Sequence, residues 1–244
     1  MQETLDHLAG DWKIYQLKGG HRFSADDVLT AWTAARVRPQ AEAILDLGSG
    51  LGSVGLLTLW RLPGARLTGV EVQQLSYDLA LKTREHNGLG ERVCFLRQDL
   101  RSPLEVGKFP LVTGSPPYFP LGKATVSPHP QRAAARCELH GDVFDYCRVA
   151  AEHLLPEGRF VFVHAAGDPR PEAAVTRAGL QMLSRQEVLF RSHLEPTVAL
   201  FVSGFAGERR DPAPFVIRDA QGHWTEEYLA MRAEMGTTGL RRSG

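Results

Sequence analysis

The sequence predicts an α/β protein: a mostly parallel, seven-stranded sheet with helices on both faces and an antiparallel strand pair at its C-terminal side. Three observations carry this. Between residues 43 and 178, short apolar runs alternate with stretches of helical spacing, the pattern of a parallel sheet covered on both faces. The first apolar run passes straight into a glycine turn. Two late runs, 186–191 and 197–205, follow one another without a helix signal between them, as an antiparallel pair does.

Taken in order, Ala43-Ile44-Leu45-Asp46-Leu47 reads as a buried strand that ends in Gly48-Ser49-Gly50-Leu51-Gly52-Ser53. Residues 54–62 are apolar with one basic residue and stop at Pro63-Gly64, which predicts a helix under a sheet. A strand is expected at 66–71 and a helix at 75–88, stopped by Asn87-Gly88. Strands at 92–96 and 109–113, a helix at 139–154, a strand at 159–164 and a helix at 172–178 lead to the closing pair. Residues 1–36 read as an N-terminal cap and 37–206 as the domain. Residues 207–244 read as an extension packed on it, with a helix that begins near Thr225 as a candidate N-cap. Residues 119–131 are long enough for a functional loop. A ligand of such a sheet sits outside the carboxyl ends of its strands.

Composition narrows the function. With 28 Lys plus Arg against 28 Asp plus Glu, the chain has no basic excess for gripping nucleic acid mainly through phosphates. Its 43% hydrophobic and 23% charged residues exclude a disordered chain or a fibre. Residues 1–20 carry charge throughout and lack the apolar core of a signal peptide, and no run of eighteen apolar residues exists. Cys94, Cys137 and Cys147 have no zinc-ligand spacing. The expectation is a cytoplasmic, monomeric protein with reduced thiols, no metal and no membrane partner.

Two motifs carry chemistry. In Asp46-Leu47-Gly48-Ser49-Gly50-Leu51-Gly52, glycines at a strand-to-helix junction let backbone approach a ligand. A dinucleotide site prefers a sixth-position glycine where this chain has Ser53. Glu71 ends the second strand, where a carboxylate can accept both ribose hydroxyls of a nucleoside. Asp99 follows the third, where it can accept from an exocyclic adenine amine. The fourth strand closes in Ser115-Pro116-Pro117-Tyr118-Phe119. Successive prolines make this loop rigid, so a polar side chain and the Pro116 carbonyl can act as paired acceptors for a planar NH2 group. Accepting both hydrogens frees the nitrogen lone pair for attack, and the Tyr118 ring can stack on the base that bears the amine. His129, Arg132 and Arg136 flank the loop as phosphate contacts or as a solvated helix start. Arg209-Arg210 and Arg241-Arg242 read as surface charge, and Trp12, Trp32 and Trp60 as core. Trp224 is the least readily explained as core.

The order of this glycine motif, Glu71, Asp99 and Ser115-Pro116-Pro117-Tyr118 resembles the class I S-adenosylmethionine-dependent amino-methyltransferases, a Rossmann-like family whose fourth motif is [N/D/S]-P-P-[Y/F]. More closely, the chain resembles the bacterial adenine-N6 methyltransferases of tRNA(Val). Residues 16–26, 131–138 and 214–227 look like that family's N-terminal segment, its Arg-containing helix entry and its C-terminal end. The resemblance implies S-adenosylmethionine as cofactor and an RNA substrate, with adenine N6 of a tRNA as target. It places Arg22 and Asp26 over the cofactor, and Asp46, Gly48, Ser49, Gly50, Gly52, Glu71, Val72, Asp99, Leu100 and Ser115 around it. Ser115, Pro116, Pro117 and Tyr118 are the implied catalytic residues. Tyr118, Phe119, His129, Arg132 and Arg136 are the implied substrate contacts. Ser115 stands where the family has Asn, so a hydroxyl on a shorter arm replaces an amide oxygen. A protein glutamine-N5 methyltransferase and a cofactor-binding module without turnover are the alternatives.

Overall fold

A computed structural model describes residues 2–120 and 129–238; the Arg241-Arg242 pair and residues 121–128 of the expected loop lie outside them. The chain opens with a hairpin, β1 (Glu3–Ala9) and β2 (Trp12–Leu17), turned at Gly10 with φ +53°. Then follow α1 (Ala25–Val37), β3 (Ala43–Leu47), α2 (Ser53–Arg61), β4 (Arg66–Glu71), α3 (Gln74–His86), β5 (Val93–Arg97) and β6 (Phe109–Gly114). The second half holds α4 (Pro130–Arg136), α5 (Val143–His153), β7 (Leu154–Ala165), α6 (Arg170–Arg177), β8 (Gln181–Leu189) and β9 (Val198–Gly204). The tail adds β10 (Phe215–Val216) and α7 (Glu226–Glu234).

Strand order in the large sheet is β10-β8-β9-β7-β6-β3-β4-β5. Only β9 runs against the rest, pairing antiparallel with β7 and β8. Side-chain alternation along the strands builds two cores. Ile44, Leu67, Val161 and Leu200 face α1, α2 and α3. Leu45, Leu47, Phe160 and Phe201 face α5 and α6. In the second core Phe160, Phe162 and Phe201 stack at centroid spacings of 4.7 and 4.9 Å; each such ring contributes about 2–3 kcal/mol by burial.

The sheet has eight strands rather than the expected seven. The additional strand, β10, pairs parallel with β8 through Phe215 opposite Val188, and its two residues, which follow Pro212 and Pro214, are too few to show a period. The helix expected at 139–154 begins only at Val143 and ends at His153. Gly141 sits at φ +126°, and Asp142 caps the helix by accepting from the Phe144 and Asp145 N–H groups, a capping box. The boundary expected at 36/37 falls at the end of α1, a helix that packs on α2 and β7 as a layer of the domain. The hairpin before it is fastened to α3, with Lys13 N–H on Asn87 Oδ1 (2.9 Å) and Tyr15 N–H on Thr83 Oγ1 (3.0 Å). Trp60 lies against both Gly10 and Gly236, whose backbones are joined by a 2.9 Å hydrogen bond, so the tail closes onto the hairpin turn. Thr225 caps α7 by accepting from Tyr228 N–H.

Candidate active site

The glycine turn leaves β3 with Gly48, Gly50 and Gly52 at φ +60°, +56° and +83°, a left-handed path that side chains disfavour. It is pinned across the sheet by Ser49 N–H on the Val70 carbonyl (2.9 Å). Asp46 is a clamp beneath it: one oxygen accepts from Thr113 Oγ1 at 2.7 Å, the other from Gly55 N–H at 3.1 Å. Burial raises its carboxyl to about 6 despite these bonds. Glu71, buried at the end of β4, accepts from Gln73 N–H at 2.6 Å and Gly50 N–H at 2.8 Å. Burial again pushes its carboxyl above the usual range.

At the end of β6, Gly114 packs closely on α5: a Cβ there would sit 3.0 Å from the Tyr146 ring. The loop that follows is fastened on three sides. The Tyr118 phenol donates to Asp26 Oδ2 at 3.0 Å and bonds the Ser115 side chain. The Tyr118 ring meets His164 edge-on at 5.3 Å. Phe119 N–H donates to the Arg136 carbonyl and Glu138 N–H to the Phe119 carbonyl, both at 3.1 Å, which joins the loop to the end of α4. Gln131 links α4 to α3 through Ser76 Oγ (3.2 Å) and to the N-terminal segment by accepting from His21 N–H (3.2 Å).

These elements enclose one cavity of about 720 Å³. Of the residues singled out by sequence, Arg22, Asp26, Asp46, Gly48, Ser49, Gly50, Glu71, Val72, Leu100, Ser115, Pro117, Tyr118, Phe119, Arg132 and Arg136 line it. Gly52, Asp99, Pro116 and His129 are not among its lining residues. Gly52 is the N-cap of α2 and His129 that of α4. The Asp99 carboxylate is gripped by Arg101, with contacts from Nη2 at 2.6 Å and Nε at 2.9 Å. That pairing, ahead of burial, holds its carboxyl below the usual range.

Sequence reasoning missed His21, Asp27, Gln131 and Tyr146, all of which line the cavity. Asp27 accepts from Ser53 Oγ and Ser24 N–H, both at 2.8 Å, and burial followed by repulsion from Asp26 raises its carboxyl to about 7. The spacing Ser24-x-x-Asp27 is a capping-box signal that could have found it. Tyr146 comes from the middle of α5, and no local motif marks it.

The cavity fits S-adenosylmethionine. A Cβ at Gly50 would meet nothing nearer than the Gly48 carbonyl at 4.0 Å, so the missing side chain leaves a cradle. Glu71 offers acceptors at its wall, and Ser49 Oγ is buried without a hydrogen-bond partner among the described residues. Asp26, Asp27 and Glu71 suit a cationic ligand. Among the described residues, no cluster of His, Cys, Asp and Glu is arranged to hold a metal ion, and no helix is long and apolar enough to cross a membrane.

Comparison with known proteins agrees. The methyltransferase small domain family matches residues 23–173. A tRNA1(Val) (adenine(37)-N6)-methyltransferase of Porphyromonas gingivalis is 30% identical over 237 residues, covering 90% of each chain. A release factor glutamine methyltransferase of Chlorobaculum tepidum is 34% identical over 125 residues, covering 48% of this chain and 42% of its own. A solved structure described as a predicted O-methyltransferase of Agrobacterium tumefaciens superposes with a TM-score of 0.63 at 19% identity, over 86% of this chain and 97% of its own. It shares the fold.

Proposed function

The chain belongs to the methyltransferase small-domain family, and from that premise we propose that it transfers the methyl group of S-adenosylmethionine to N6 of an adenine in tRNA. The observation that carries this is the meeting of two motifs at one cavity: the left-handed glycine loop after β3 and the Ser115-Pro116-Pro117-Tyr118 loop after β6. Likeness over 90% of the P. gingivalis tRNA enzyme supports the tRNA reading over the glutamine one, whose relative matches about half the chain.

Gly48 and Gly50 admit the amino-acid part of the cofactor, and Glu71 takes the ribose hydroxyls on oxygens that now accept Gly50 and Gln73 N–H. Asp99 accepts from the cofactor's adenine amine once Arg101 releases it, and Val72 and Leu100 border the base. When bound, S-adenosylmethionine supplies a methyl group activated by a positive sulfur. Ser115 Oγ and the Pro116 carbonyl accept the two hydrogens of the target amine, which localises the nitrogen lone pair and aims it. Tyr118 and Phe119 flank the target base, while Arg132 and Arg136 meet its phosphates. No strong base is required, because the product sheds its proton after transfer, so positioning supplies most of the rate.

The test is purified protein with methyl-labelled S-adenosylmethionine, total tRNA and a cell extract. Label that RNase releases supports the proposal. Label that survives RNase and falls to protease supports the glutamine-type reading, and cofactor binding without label supports a module without turnover.

A further inference from the structure

Because β8 and β10 run in the same direction as β3 to β7, their carboxyl ends stand on the sheet edge where the cavity opens. The loop after β8 and the hairpin after β10 therefore form a rim beside it. Continuity is direct: Thr197 and Val198 line the cavity, Val198 pairs with Val188, and Val188 pairs with Phe215. The rim thus extends two strand spacings, about 10 Å, from the cavity wall. Ser192 N–H on the Arg218 carbonyl (2.9 Å) ties its two parts together.

The rim's composition is unusual for a solvent edge. Seven large hydrophobic side chains are exposed among the described residues, and Phe190, Leu194 and Trp224 lie here. Trp224 is 38% exposed yet held in place, with the Arg232 guanidinium 4.4 Å and the Arg218 guanidinium 5.4 Å from its ring centre. Arg232 is itself buried and Arg218 donates to the Gly222 carbonyl at 2.6 Å, so both cations are fixed. Acidic Glu195 and Asp219 offset Arg191 and Arg218 along the same stretch, so the rim has no charge excess for phosphates. An exposed Trp224 ring beside fixed guanidinium groups, with the exposed Phe190 ring on the same rim, suits unpaired bases, which bind by stacking.

We propose that this rim binds the unpaired nucleotides next to the target base by stacking, chiefly on Trp224 and Phe190. The inference rests on the reading of an RNA substrate. Initial rates against tRNA concentration, measured on the full chain and on Trp224→Ala, Trp224→Phe, Phe190→Ala and the double Ala variant, test it, with cofactor affinity from calorimetry. Each Ala change should raise KM for tRNA about five- to a hundredfold, leave kcat within about twofold, and leave cofactor affinity and the salt slope of KM unchanged. Trp224→Phe should recover most of the loss. An unchanged KM in the double variant, a fall in kcat alone, or a salt slope reduced by about one, the mark of a lost phosphate contact, overturns the proposal. If Trp224→Ala does not fold, Phe190→Ala decides. A wild-type enzyme that methylates protein and no RNA overturns the rim and the RNA reading together, whereas active wild type with indifferent variants overturns the rim alone.

Discussion

The Tyr118 phenol donates a 3.0 Å hydrogen bond to Asp26 Oδ2, which fastens the proposed amine-binding loop to the first turn of α1. The ring is held by its far end, so its plane is set before a base arrives. Removing only the hydroxyl should loosen that plane. A hydrogen bond to a charged group is worth about 1.5–3 kcal/mol, so Tyr118→Phe should lower kcat/KM for tRNA about tenfold or more. Tyr118→Ala should remove the stack as well and abolish measurable transfer. Asp26→Asn should cost less kcat/KM for tRNA in the Tyr118→Phe background than in the wild type, because the bond between the two residues is already gone there; equal losses in both backgrounds would show that the bond does not matter.

Asp99 and Arg101 make the next prediction. The carboxylate proposed to read the cofactor's adenine is occupied by its own neighbour, at 2.6 Å from Nη2. Arg101→Ala should therefore leave cofactor affinity unchanged or tighten it, whereas Asp99→Ala should weaken it by about tenfold, both measured by calorimetry. Weaker binding in Arg101→Ala would mean that the pair is structural and that Asp99 does not reach the ligand.

Burial of Asp27 makes stability depend on pH. Its carboxyl is raised to about 7 in the fold, against about 4 in an unfolded chain. The folded state binds that proton more tightly, so the contribution is full below about pH 4 and is lost as pH rises through about 7. His164 acts in the opposite sense: burial lowers its pKa, so its contribution is present above about pH 6.5 and is lost on acidification. Asp27→Asn removes only the first effect. The amide keeps only one of the two accepted bonds, so the checkable quantity is the trend: the melting temperature of the variant relative to the parent should rise between pH 5 and pH 8. A margin that does not change with pH would contradict the assignment.

Much of this was legible in the sequence because the relevant features are local. The alternation of apolar runs and helices fixed the sheet direction, and the strand-end positions of the glycine loop, Glu71 and Ser115 followed from it. What was hidden depends on contacts distant in the chain. Tyr146 reaches Gly48 from another helix, and Gln131 joins three elements that are far apart in sequence. The β1–β2 hairpin left a signal, the Gly10-Asp11 step between two runs, but its strands carry charge and alternate weakly. The Asp99–Arg101 pairing was written two residues apart and still could not be read, because rotamers decide it. Balanced charge, the first clue to function, has a counterpart in the cavity, whose lining holds the Tyr118, Phe119 and Tyr146 rings beside three arginines, Arg22, Arg132 and Arg136.

Methyl transfer to adenine N6 is tested most directly by nucleoside mass spectrometry of tRNA incubated with the enzyme and S-adenosylmethionine. N6-methyladenosine is expected in the digest, and it should be absent when Ser115-Pro116-Pro117-Tyr118 is disabled by Tyr118→Ala. Methylation of a ring nitrogen, of a ribose or of cytosine N4, or no methylated nucleoside from an enzyme that binds the cofactor, would contradict it.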